Sequence, residues 1–366
     1  MTEQQILDAL AKVIEPDLKK DVVELGLVSN ISIEGNKVTF DVKVSNPAMH
    51  SKKRMEEACC FAVERAFGSD VEVECNVGNI EGDASDTRLR KVLPGVKNIV
   101  AVASGKGGVG KSTIAANLAV GLVAKGYTVG LIDADIYGPS VPTMFDLVNE
   151  KPTVVEKAGK QYIEPLESHG VKVLSIGFFA DMSQPIVWRG PMATKALNQM
   201  FNDTWWGDLD YMVLDLPPGT GDVHLSIVQA LPLTGAVIVS TPQEVALADA
   251  RKGVAMFQLD SVKVPVLGLI ENMAWFTPAE LPDNKYYIFG QDGAKHLAEQ
   301  LNVPLLGQLP LVQSIREAGD VGRPAVLQEG TPVAEYMTEI IGKFVEQVEA
   351  RNNSMPPTQK VEFTTS

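Results

Sequence analysis

The first residues with types and spacing suited to chemistry form a glycine-rich stretch. Residues 105–112 read Gly-Lys-Gly-Gly-Val-Gly-Lys-Ser, which fits the pattern G-x-x-x-x-G-K-[ST] between an apolar run and a helical segment. Glycines let backbone N–H groups converge on phosphate oxygens, and a helix N-terminus adds partial positive charge. The pattern therefore predicts a loop that binds a nucleoside triphosphate. The residues assigned to it are Gly105, Lys106, Gly107, Gly108, Val109, Gly110, Lys111, Ser112 and Thr113.

Four side chains of this loop have distinct expected roles. Lys111 bridges the β- and γ-phosphates, Ser112 holds Mg²⁺, and Thr113 contacts the α-phosphate. Lys106 places a second cation near the β/γ oxygens, where it would neutralise charge that develops during phosphoryl transfer. The alternative for Lys106 is an ordinary surface lysine. We class Lys106 and Lys111 as catalytic as well as nucleotide-binding.

Two carboxylates follow the apolar run 128–132. Burying a carboxylate at the end of an apolar strand costs free energy unless the carboxylate faces Mg²⁺, water or a partner group. We expect Asp135 to position the attacking water, as a catalytic residue, and Asp133 to lie nearer the metal. The alternative for both residues is a simple turn or helix cap.

Two further strand ends carry candidate residues. Asp215 ends the apolar run 211–214 and is expected to hold a Mg²⁺-bound water. Four residues later, the N–H of Gly219 is expected to sense the γ-phosphate. Asn272 follows the run 266–270 and offers the paired donor and acceptor that read an adenine edge, although a structural turn is the alternative.

The elements that position these residues are apolar runs alternating with helical segments. Six such runs are residues 99–103, 128–132, 171–176, 211–214, 236–240 and 266–270. The alternation predicts an α/β fold with a doubly wound, mostly parallel sheet. The glycine-rich motif at residues 105–112 makes it a sheet of the P-loop NTPase type. Ligands bind sheets of this kind beyond the carboxyl ends of the strands, which is where the candidate residues fall.

The chain is expected to divide into four segments. Residues 1–78 have the order helix, hairpin, helix, strand and predict a small α+β domain. Residues 79–97 are polar and mixed in charge and are taken as a linker. Residues 98–350 form the nucleotide domain, and the polar residues 351–366 are expected to be a disordered tail.

Composition narrows the possible functions. The 366 residues include 32 Lys+Arg and 46 Asp+Glu, and the net charge of −14 gives no overall attraction to nucleic acid or to an anionic membrane. No apolar run approaches the roughly 20 residues of a membrane span, and the first residues do not resemble a signal peptide. The three cysteines do not suggest a disulfide framework, so a cytoplasmic location is expected.

Taken together, these motifs resemble the Mrp/ApbC branch of the MinD/ParA ATPases. The resemblance rests on residues 106–113, 132–140 (Ile-Asp-Ala-Asp-Ile-Tyr-Gly-Pro-Ser), 188–192 (Trp-Arg-Gly-Pro-Met), 215–222 (Asp-Leu-Pro-Pro-Gly-Thr-Gly-Asp), 241–243, 271–273 (Glu-Asn-Met), 315–317 and 322–324. Residues 15–17 and 21–27 also resemble a small iron–sulfur-assembly domain that is often fused to this branch.

The resemblance implies a function and an assembly. In that class, a lysine placed like Lys106 belongs to a deviant Walker A motif and reaches the partner's phosphates across a nucleotide-sandwich homodimer. The family implication is an ATP-dependent carrier that holds an iron–sulfur cluster at the homodimer interface and delivers it to apoproteins.

The chain departs from this family at the expected cluster ligands. The family's Cys-x-x-Cys normally follows Glu-Asn-Met, but residues 274–285 contain no thiol, and neither do residues 46–50 of the small domain. Cys59 and Cys60 are neighbours on a predicted helix, so their side chains diverge by roughly 100° and do not face one point. Together with Cys75 they make a poor ligand set. We expect normal binding of ATP and Mg²⁺, with a cluster held weakly or not at all at the 274–285 loop.

The sequence therefore predicts a cytoplasmic ATPase of iron–sulfur cluster assembly or transfer that works as a homodimer. Its expected partners are apoproteins or assembly factors, without nucleic acid or membrane. One alternative is an ATP-switched scaffold or chaperone that binds no cluster. Another is a partition or positioning ATPase, which is disfavoured by the net charge of −14 and by a tail without a basic amphipathic helix.

Overall fold

The computed structural model describes the chain except for residues 16–19, 45–48, 69–70, 80–91, 158, 180–189, 260–261, 279, 282 and 358–366. Most of the predicted linker, the end of the predicted tail, the first two residues of the Trp-Arg-Gly-Pro-Met motif and parts of the 15–17 and 46–50 segments lie outside the described residues. The chain forms two compact units, residues 1–83 and 84–366, which are described separately.

The first unit is an α+β domain with a small three-stranded sheet. Its elements are α1 (Glu3–Leu10), β1 (Val28–Glu34), β2 (Lys37–Val44), α2 (Met49–Phe67) and β3 (Glu72–Asn79). The sheet order is β1-β2-β3, with β1 antiparallel and β3 parallel to β2. A capping box starts α1, because the Thr2 hydroxyl accepts from the Gln5 N–H and the Gln5 side chain accepts from the Thr2 N–H. Its core includes Ile6, Leu10, Phe40, Cys59 and Val63.

The second unit contains the remaining strands and helices. Its strands are β4 (Val96–Ala103), β5 (Val129–Asp133), β6 (Thr153–Lys157), β7 (Lys160–Glu164), β8 (Leu166–Ser168), β9 (Val171–Ser175), β10 (Leu209–Asp215), β11 (Gly235–Ser240), β12 (Val266–Glu271) and β13 (Leu305–Gln308). Its α-helices are α3 (Lys111–Ala124), α4 (Val141–Met144), α5 (Gly190–Asn202), α6 (Asp222–Ala230), α7 (Glu244–Gln258), α8 (Gly293–Leu301), α9 (Gln313–Asp320) and α10 (Pro332–Ser354).

Eight of these strands form one sheet in the order β13-β12-β11-β4-β10-β5-β9-β8. Neighbouring strands are parallel except for β8, which is antiparallel to β9. Helices connect the parallel strands, and the central strands are buried on both faces, which explains their continuous apolar sequences. The predicted doubly wound, mostly parallel fold is confirmed. Strands β6, β7, β8 and β13 were not predicted, because they are short or largely exposed.

The sheet order brings the candidate residues together. Strand β10 lies between β4 and β5, so the phosphate loop after β4 is next to Asp215 at the end of β10. Asp215 also pairs in register with Asp133 at the end of β5.

The element bounds differ from the predicted segments at two places. Strand β4 begins at Val96, inside the predicted linker. Helix α10 continues to Ser354, inside the predicted tail. The extension has a physical cause, because Arg351 is buried and its guanidinium donates to the carbonyl of Pro356 at 2.9 Å.

Candidate functional site

The phosphate loop needs glycine for two reasons, a left-handed backbone at some positions and a lack of room for a side chain at others. Gly108 and Gly110 have φ of 80° and 84°, in the left-handed region that favours glycine. A Cβ at Gly110 would lie 2.2 Å from Nδ2 of Asn272, and one at Gly105 would lie 2.2 Å from the backbone of Asp249. The glycine spacing read from the sequence therefore reflects close approach of the loop to two other segments of the chain.

A buried cluster of charges lies at the end of this loop, where α3 begins. The Lys111 ammonium is 2.6 Å from Oδ1 of Asp215 and 3.6 Å from Oδ2 of Asp135. Lys111 also lies 3.3 Å from the hydroxyl of Ser112. The side chains of Lys111, Asp215 and Asp135 are 6%, 0% and 12% exposed, so this is a nearly dry ion cluster. Four residues predicted from three separate motifs are thus brought to one place.

Asp215 keeps one oxygen without a hydrogen-bond partner. Its Oδ2 is buried and unpaired within the described structure, whereas Oδ1 accepts from Lys111. Burial raises the pKa of Asp215, and Lys111 and the Ser112 hydroxyl oppose that rise. A buried carboxylate oxygen without a donor is costly, so this atom is suited to a cation that enters the site.

Asp133, by contrast, has both oxygens occupied. Its Oδ2 accepts from the Ser175 hydroxyl at 2.9 Å and from the Val141 N–H at 3.2 Å, and its Oδ1 accepts from the Asp135 N–H at 3.1 Å. Burial, followed by the negative charge of Asp215, raises the pKa of Asp133 to about 7. These bonds hold the segment between Asp133 and Val141 in place, and that segment carries Asp135.

The segment 216–221, which we call the switch loop, lies against the phosphate loop. The N–H of Gly219, expected to sense phosphate, donates to the carbonyl of Ser104 at 2.8 Å. Gly219 has φ of 99°, which favours glycine. Pro218 approaches to 3.9 Å of where a Cβ of Gly107 would stand. The Gly219 N–H therefore has to leave a backbone carbonyl before it can bind a phosphate.

Lys106 differs from the buried Lys111 in its surroundings. Its side chain is exposed, while its carbonyl accepts from the Ser104 hydroxyl at 2.9 Å. The two lysines of one loop therefore differ in environment, because Lys111 lies inside the charge cluster and Lys106 lies at the surface.

A cavity of about 390 Å³ adjoins the loop, and its walls include Gly110, Thr113, Asn272, Leu311 and Arg316. Asn272 is buried, and its Nδ2 donates to the carbonyl of Val109 at 2.9 Å. Sequence reasoning placed Asn272 at such a site but missed Leu311 and the face of α9. The 315–317 motif was the signal available for that wall, because it belongs to the strings that carry the family resemblance.

Sequence reasoning also missed a buried polar network beside Asn272. Glu271 is fully buried; its Oε2 accepts from the N–H of Ala294, and its Oε1 accepts from Gln308 Nε2 at 2.7 Å. Gln308 Nε2 also donates to Asp292 at 2.8 Å. The sequence signal available for this network was Glu271 itself, a charged residue that directly ends the apolar run of β12.

The segment 274–285 offers an aromatic packing arrangement in place of thiols. Trp275 is buried and lies under the Lys285 ammonium, 4.0 Å from its ring centroid, and Phe276 forms a bridge with Tyr286. Across the described residues, no group of three or more His, Cys, Asp or Glu side chains is arranged to hold a metal ion.

The three cysteines lie in the first unit. Cys59 and Cys75 are buried in its core, and Cys60 is half-buried. Burial raises the pKa of the Cys60 thiol to about 11, and a hydrogen bond with Cys59, followed by burial, raises the pKa of Cys75. All of these effects disfavour the thiolate form that binds metal.

A glycine loop between strand and helix, with a lysine and two carboxylates at the carboxyl edge of a parallel sheet, defines a P-loop NTPase. The family model described as ParA, NUBPL iron-transfer P-loop NTPase, matches residues 95–345, and the model described as iron-sulfur cluster assembly protein matches residues 3–75. The chain belongs to the iron-transfer P-loop NTPase family. This confirms the resemblance predicted from the sequence and makes ATP hydrolysis its enzymatic activity.

Individual relatives agree with the family. An iron-sulfur cluster carrier protein of Synechocystis is 43% identical over 351 residues, covering 94% of this chain and 97% of the relative. The iron-sulfur cluster transfer protein NUBPL of Dictyostelium discoideum is 45% identical over 316 residues, covering 86% and 95%. Among solved structures, a nucleotide-binding protein from Archaeoglobus fulgidus in complex with ADP has 36% identity and a TM-score of 0.57, covering 69% of this chain and 95% of that protein.

In the described parts of the chain, no helix combines the length and the apolar character needed to cross a membrane.

Proposed function

We propose that this ATPase serves iron–sulfur cluster assembly or transfer as a nucleotide-switched homodimer, without a stable cluster of its own in the 274–285 loop. The observation that carries the nucleotide part is the buried Lys111, Asp215 and Asp135 cluster at the phosphate loop, with Oδ2 of Asp215 unpaired among the described residues. The iron–sulfur part rests on the family and on the named relatives.

The donor set at the loop fits Mg²⁺. Ser112 and Asp215 would hold the ion, because hydroxyl and carboxylate oxygens are the ligands it prefers and Asp215 has an oxygen to spare. Magnesium, when bound, would neutralise charge on the β- and γ-phosphate oxygens. Asp133 is proposed to act through its hydrogen bonds to the 133–141 segment instead of through metal contact, since its oxygens already accept three bonds.

Lys111 and Asp135 have separate proposed roles in hydrolysis. Lys111 exchanges Asp215 for the β/γ-phosphates when a nucleotide enters, since phosphate offers it a stronger negative charge than one carboxylate. Asp135 is then released from Lys111 at 3.6 Å and accepts a hydrogen bond from the attacking water. Exposed Lys106 is proposed to reach the nucleotide of the partner subunit, as the resemblance implies.

The cavity beside Asn272 is the proposed base site. Nδ2 of Asn272 donates one of its two N–H groups to the carbonyl of Val109, and Oδ1 remains available as an acceptor. An acceptor there would pair with the exocyclic amine of adenine. We therefore propose that Asn272 contacts an adenine base.

The donor chemistry does not fit a cluster at the 274–285 loop. Thiolates dominate iron–sulfur ligation, and the sequence has no cysteine after Cys75. Residues Thr277, Glu280, Asp283 and Asn284 offer hard oxygen and amide groups instead. A cluster carried by this protein would need ligands from the client or from an assembly partner. This same observation favours a second candidate function, an ATP-switched scaffold that holds no cluster.

Anaerobic reconstitution tests the cluster part of the proposal. The wild type, a Cys59→Ser/Cys60→Ser/Cys75→Ser variant, and a Pro278→Cys/Leu281→Cys variant are loaded with iron and sulfide, desalted, and analysed for both elements and for visible absorption. We expect little retention by the first two and increased retention by the third. Near-stoichiometric iron and sulfide in the wild type would contradict the proposal, and their persistence in the triple variant would show that non-thiolate ligands suffice.

A further inference from the structure

The hairpin of β6 and β7 carries a surface cluster of aromatic rings and lysines. Trp205 is 43% exposed, and its ring meets that of Tyr162 edge-on, with centroids 5.5 Å apart. The Lys157 ammonium lies 5.9 Å from the Trp205 ring centroid, and the Lys160 ammonium lies 5.0 Å from that of Tyr162. We call these four residues the Trp205 cluster. Trp205 precedes β10, whose far end carries Asp215 of the nucleotide site.

The two lysines of the cluster repel each other. They are direct partners across the hairpin, and like charges opposite each other destabilise a strand pair. Lys160 lies 3.8 Å from Asp203, whereas Lys157 makes no ion pair within the described structure and meets only the Trp205 ring. A chain with net charge −14 thus concentrates positive charge at the end of one hairpin, where a carboxylate from outside would relieve the repulsion.

The outer edge of β6 is open. Among the described residues, β6 pairs with β7 alone, in a two-stranded sheet. Strand β7 is held on its other side, because the Ile163 N–H donates to the Asp203 carbonyl at 2.7 Å and the Trp205 N–H donates to the Ile163 carbonyl at 2.8 Å. The hairpin is therefore fixed to the unit along β7, and the backbone of β6 is left for pairing with another chain.

The two faces of the hairpin differ in chemistry, because successive side chains of a strand point to opposite faces. Lys157 and its partner Lys160 share one face with the pair formed by Val155 and Tyr162. Val154 lies on the other face and is 64% exposed. A strand added beside β6 would place its side chains alternately next to the lysines and next to Val154. The matching sequence alternates acidic and apolar residues.

We propose that the open edge of β6 binds an extended segment of a partner protein in which acidic and apolar residues alternate, with its carboxylates at Lys157 and Lys160. Main-chain hydrogen bonds to β6 would supply affinity, and the two faces would supply specificity. The inference goes beyond the proposed function, since it concerns a surface outside the nucleotide site. A nucleic acid matches this surface less well, because the exposed Glu156 and Glu164 of the same hairpin would repel a continuous run of phosphates.

The contrary role for the two lysines is protection of the edge, since charged side chains, lysine above all, keep open edge strands from pairing. Glutamate would protect the edge as well as lysine does, but it would repel an acidic segment. Reversal of both charges therefore separates the two roles.

Peptide binding to the full chain tests the proposal. The probe is a fluorescein-labelled peptide of four Glu-Val repeats, followed by fluorescence anisotropy at low salt. One control peptide has four Lys-Val repeats. The other has four Glu-Pro repeats, which keep the carboxylates but cannot add to a sheet, because proline lacks the N–H donor. We expect saturable binding of the Glu-Val peptide and at least about tenfold weaker binding of both controls.

Two variants of equal net charge locate the binding. Lys157→Glu/Lys160→Glu changes the hairpin, and Lys125→Glu/Lys295→Glu changes two exposed lysines outside it. We expect the first variant to bind the Glu-Val peptide at least about tenfold more weakly than wild type, and the second to bind within about twofold. Circular dichroism checks that both are folded, and both are expected to hydrolyse ATP at the wild-type rate.

Absence of saturable binding of the Glu-Val peptide to wild type overturns the inference, and so does equal affinity of wild type and Lys157→Glu/Lys160→Glu. Equal or tighter binding of the Glu-Pro peptide would show attraction by charge without strand addition and overturns it too. Binding of a labelled oligothymidylate that is lost in the hairpin variant would assign the cluster to nucleic acid, and a dimer lost only in that variant would assign the edge to a second copy. If wild type hydrolyses ATP but does not bind the peptide, this inference falls and the proposed function stands.

Discussion

Two buried carboxylates at the same edge of the large sheet differ in how their oxygens are satisfied. Glu271 ends β12, and both of its oxygens accept hydrogen bonds, from Ala294 and Gln308. Asp215 ends β10 and is equally buried, yet its Oδ2 has no partner within the described structure. Neither ring nitrogen of the buried His224 has a hydrogen-bond partner within the described structure either.

This difference distinguishes a carboxylate that stabilises the fold from one that has an oxygen left for a ligand. A buried polar group costs free energy unless it is paired, so a fully bonded set stabilises the fold, and an unpaired set persists only where something else requires it. A bound nucleotide and its metal would supply the missing partners at Asp215. Burial and charge alone therefore do not identify the nucleotide site, because Glu271 has both.

The largest expected effect is on ATP hydrolysis at the cluster of Lys111 and Asp215, where Oδ2 of Asp215 is unpaired within the described structure. Lys111→Ala removes the cation that orients the β/γ-phosphates, and we expect hydrolysis to fall at least about a thousandfold, or about 4 kcal/mol in the barrier. Phosphate release under saturating ATP and Mg²⁺ measures it. Turnover near that of wild type would refute the assignment of this cluster to catalysis.

Lys106→Ala is the matched control from the same loop. Since Lys106 is exposed and is proposed to act on the partner subunit, we expect turnover to fall while the ATP affinity of dilute monomer stays unchanged. An equal loss of affinity in monomer would show that Lys106 acts within its own subunit.

The next largest effect is on the free energy of unfolding, and it concerns Glu271, whose two carboxylate oxygens both accept hydrogen bonds. Glu271→Ala leaves the Ala294 N–H without its acceptor and removes one of the two acceptors of Gln308 Nε2. We expect the free energy of unfolding to fall by about 3 kcal/mol, because a buried donor loses its partner and a cavity opens. Urea titration monitored by circular dichroism measures this loss. A large loss of kcat with an unchanged free energy of unfolding would place Glu271 in the nucleotide site. It would contradict the difference in role between Glu271 and Asp215.

The smallest effect is a pH dependence at His224. The pKa of this ring is lowered from its ordinary 6.5 to about 4, so its stability contribution is present above pH 6.5 and is lost as pH falls toward 4. Between pH 7.5 and pH 5 the wild type should lose about 2 kcal/mol that His224→Leu does not lose. Urea unfolding of both proteins at the two pH values measures the difference, and identical pH dependence would show that the ring gains a proton without cost.

The sequence by itself determined the phosphate loop, the family and most of the sheet. Glycine spacing at residues 105–110 and the continuous apolar runs of β4, β5, β10, β11 and β12 are local properties, set by steric freedom and by burial on both faces. Since parallel strands bring their carboxyl ends to one edge, the order of residues along the chain was enough to assign Asp133, Asp215 and Asn272 to one site.

Only the tertiary structure decided how each polar atom is satisfied. Gln308 is 37 residues from Glu271, and Ser175 is 42 residues from Asp133, so no local pattern shows that these groups bond. Likewise, the exposed hairpin β6–β7 has no apolar signature, and the burial of His224 depends on Phe257 from another helix. Whether a polar atom is hydrogen-bonded depends on its three-dimensional neighbours. Sequence pattern and spacing could therefore indicate which residues meet at the edge of the sheet. They could not indicate which atoms of those residues are already bonded and which are left for a ligand.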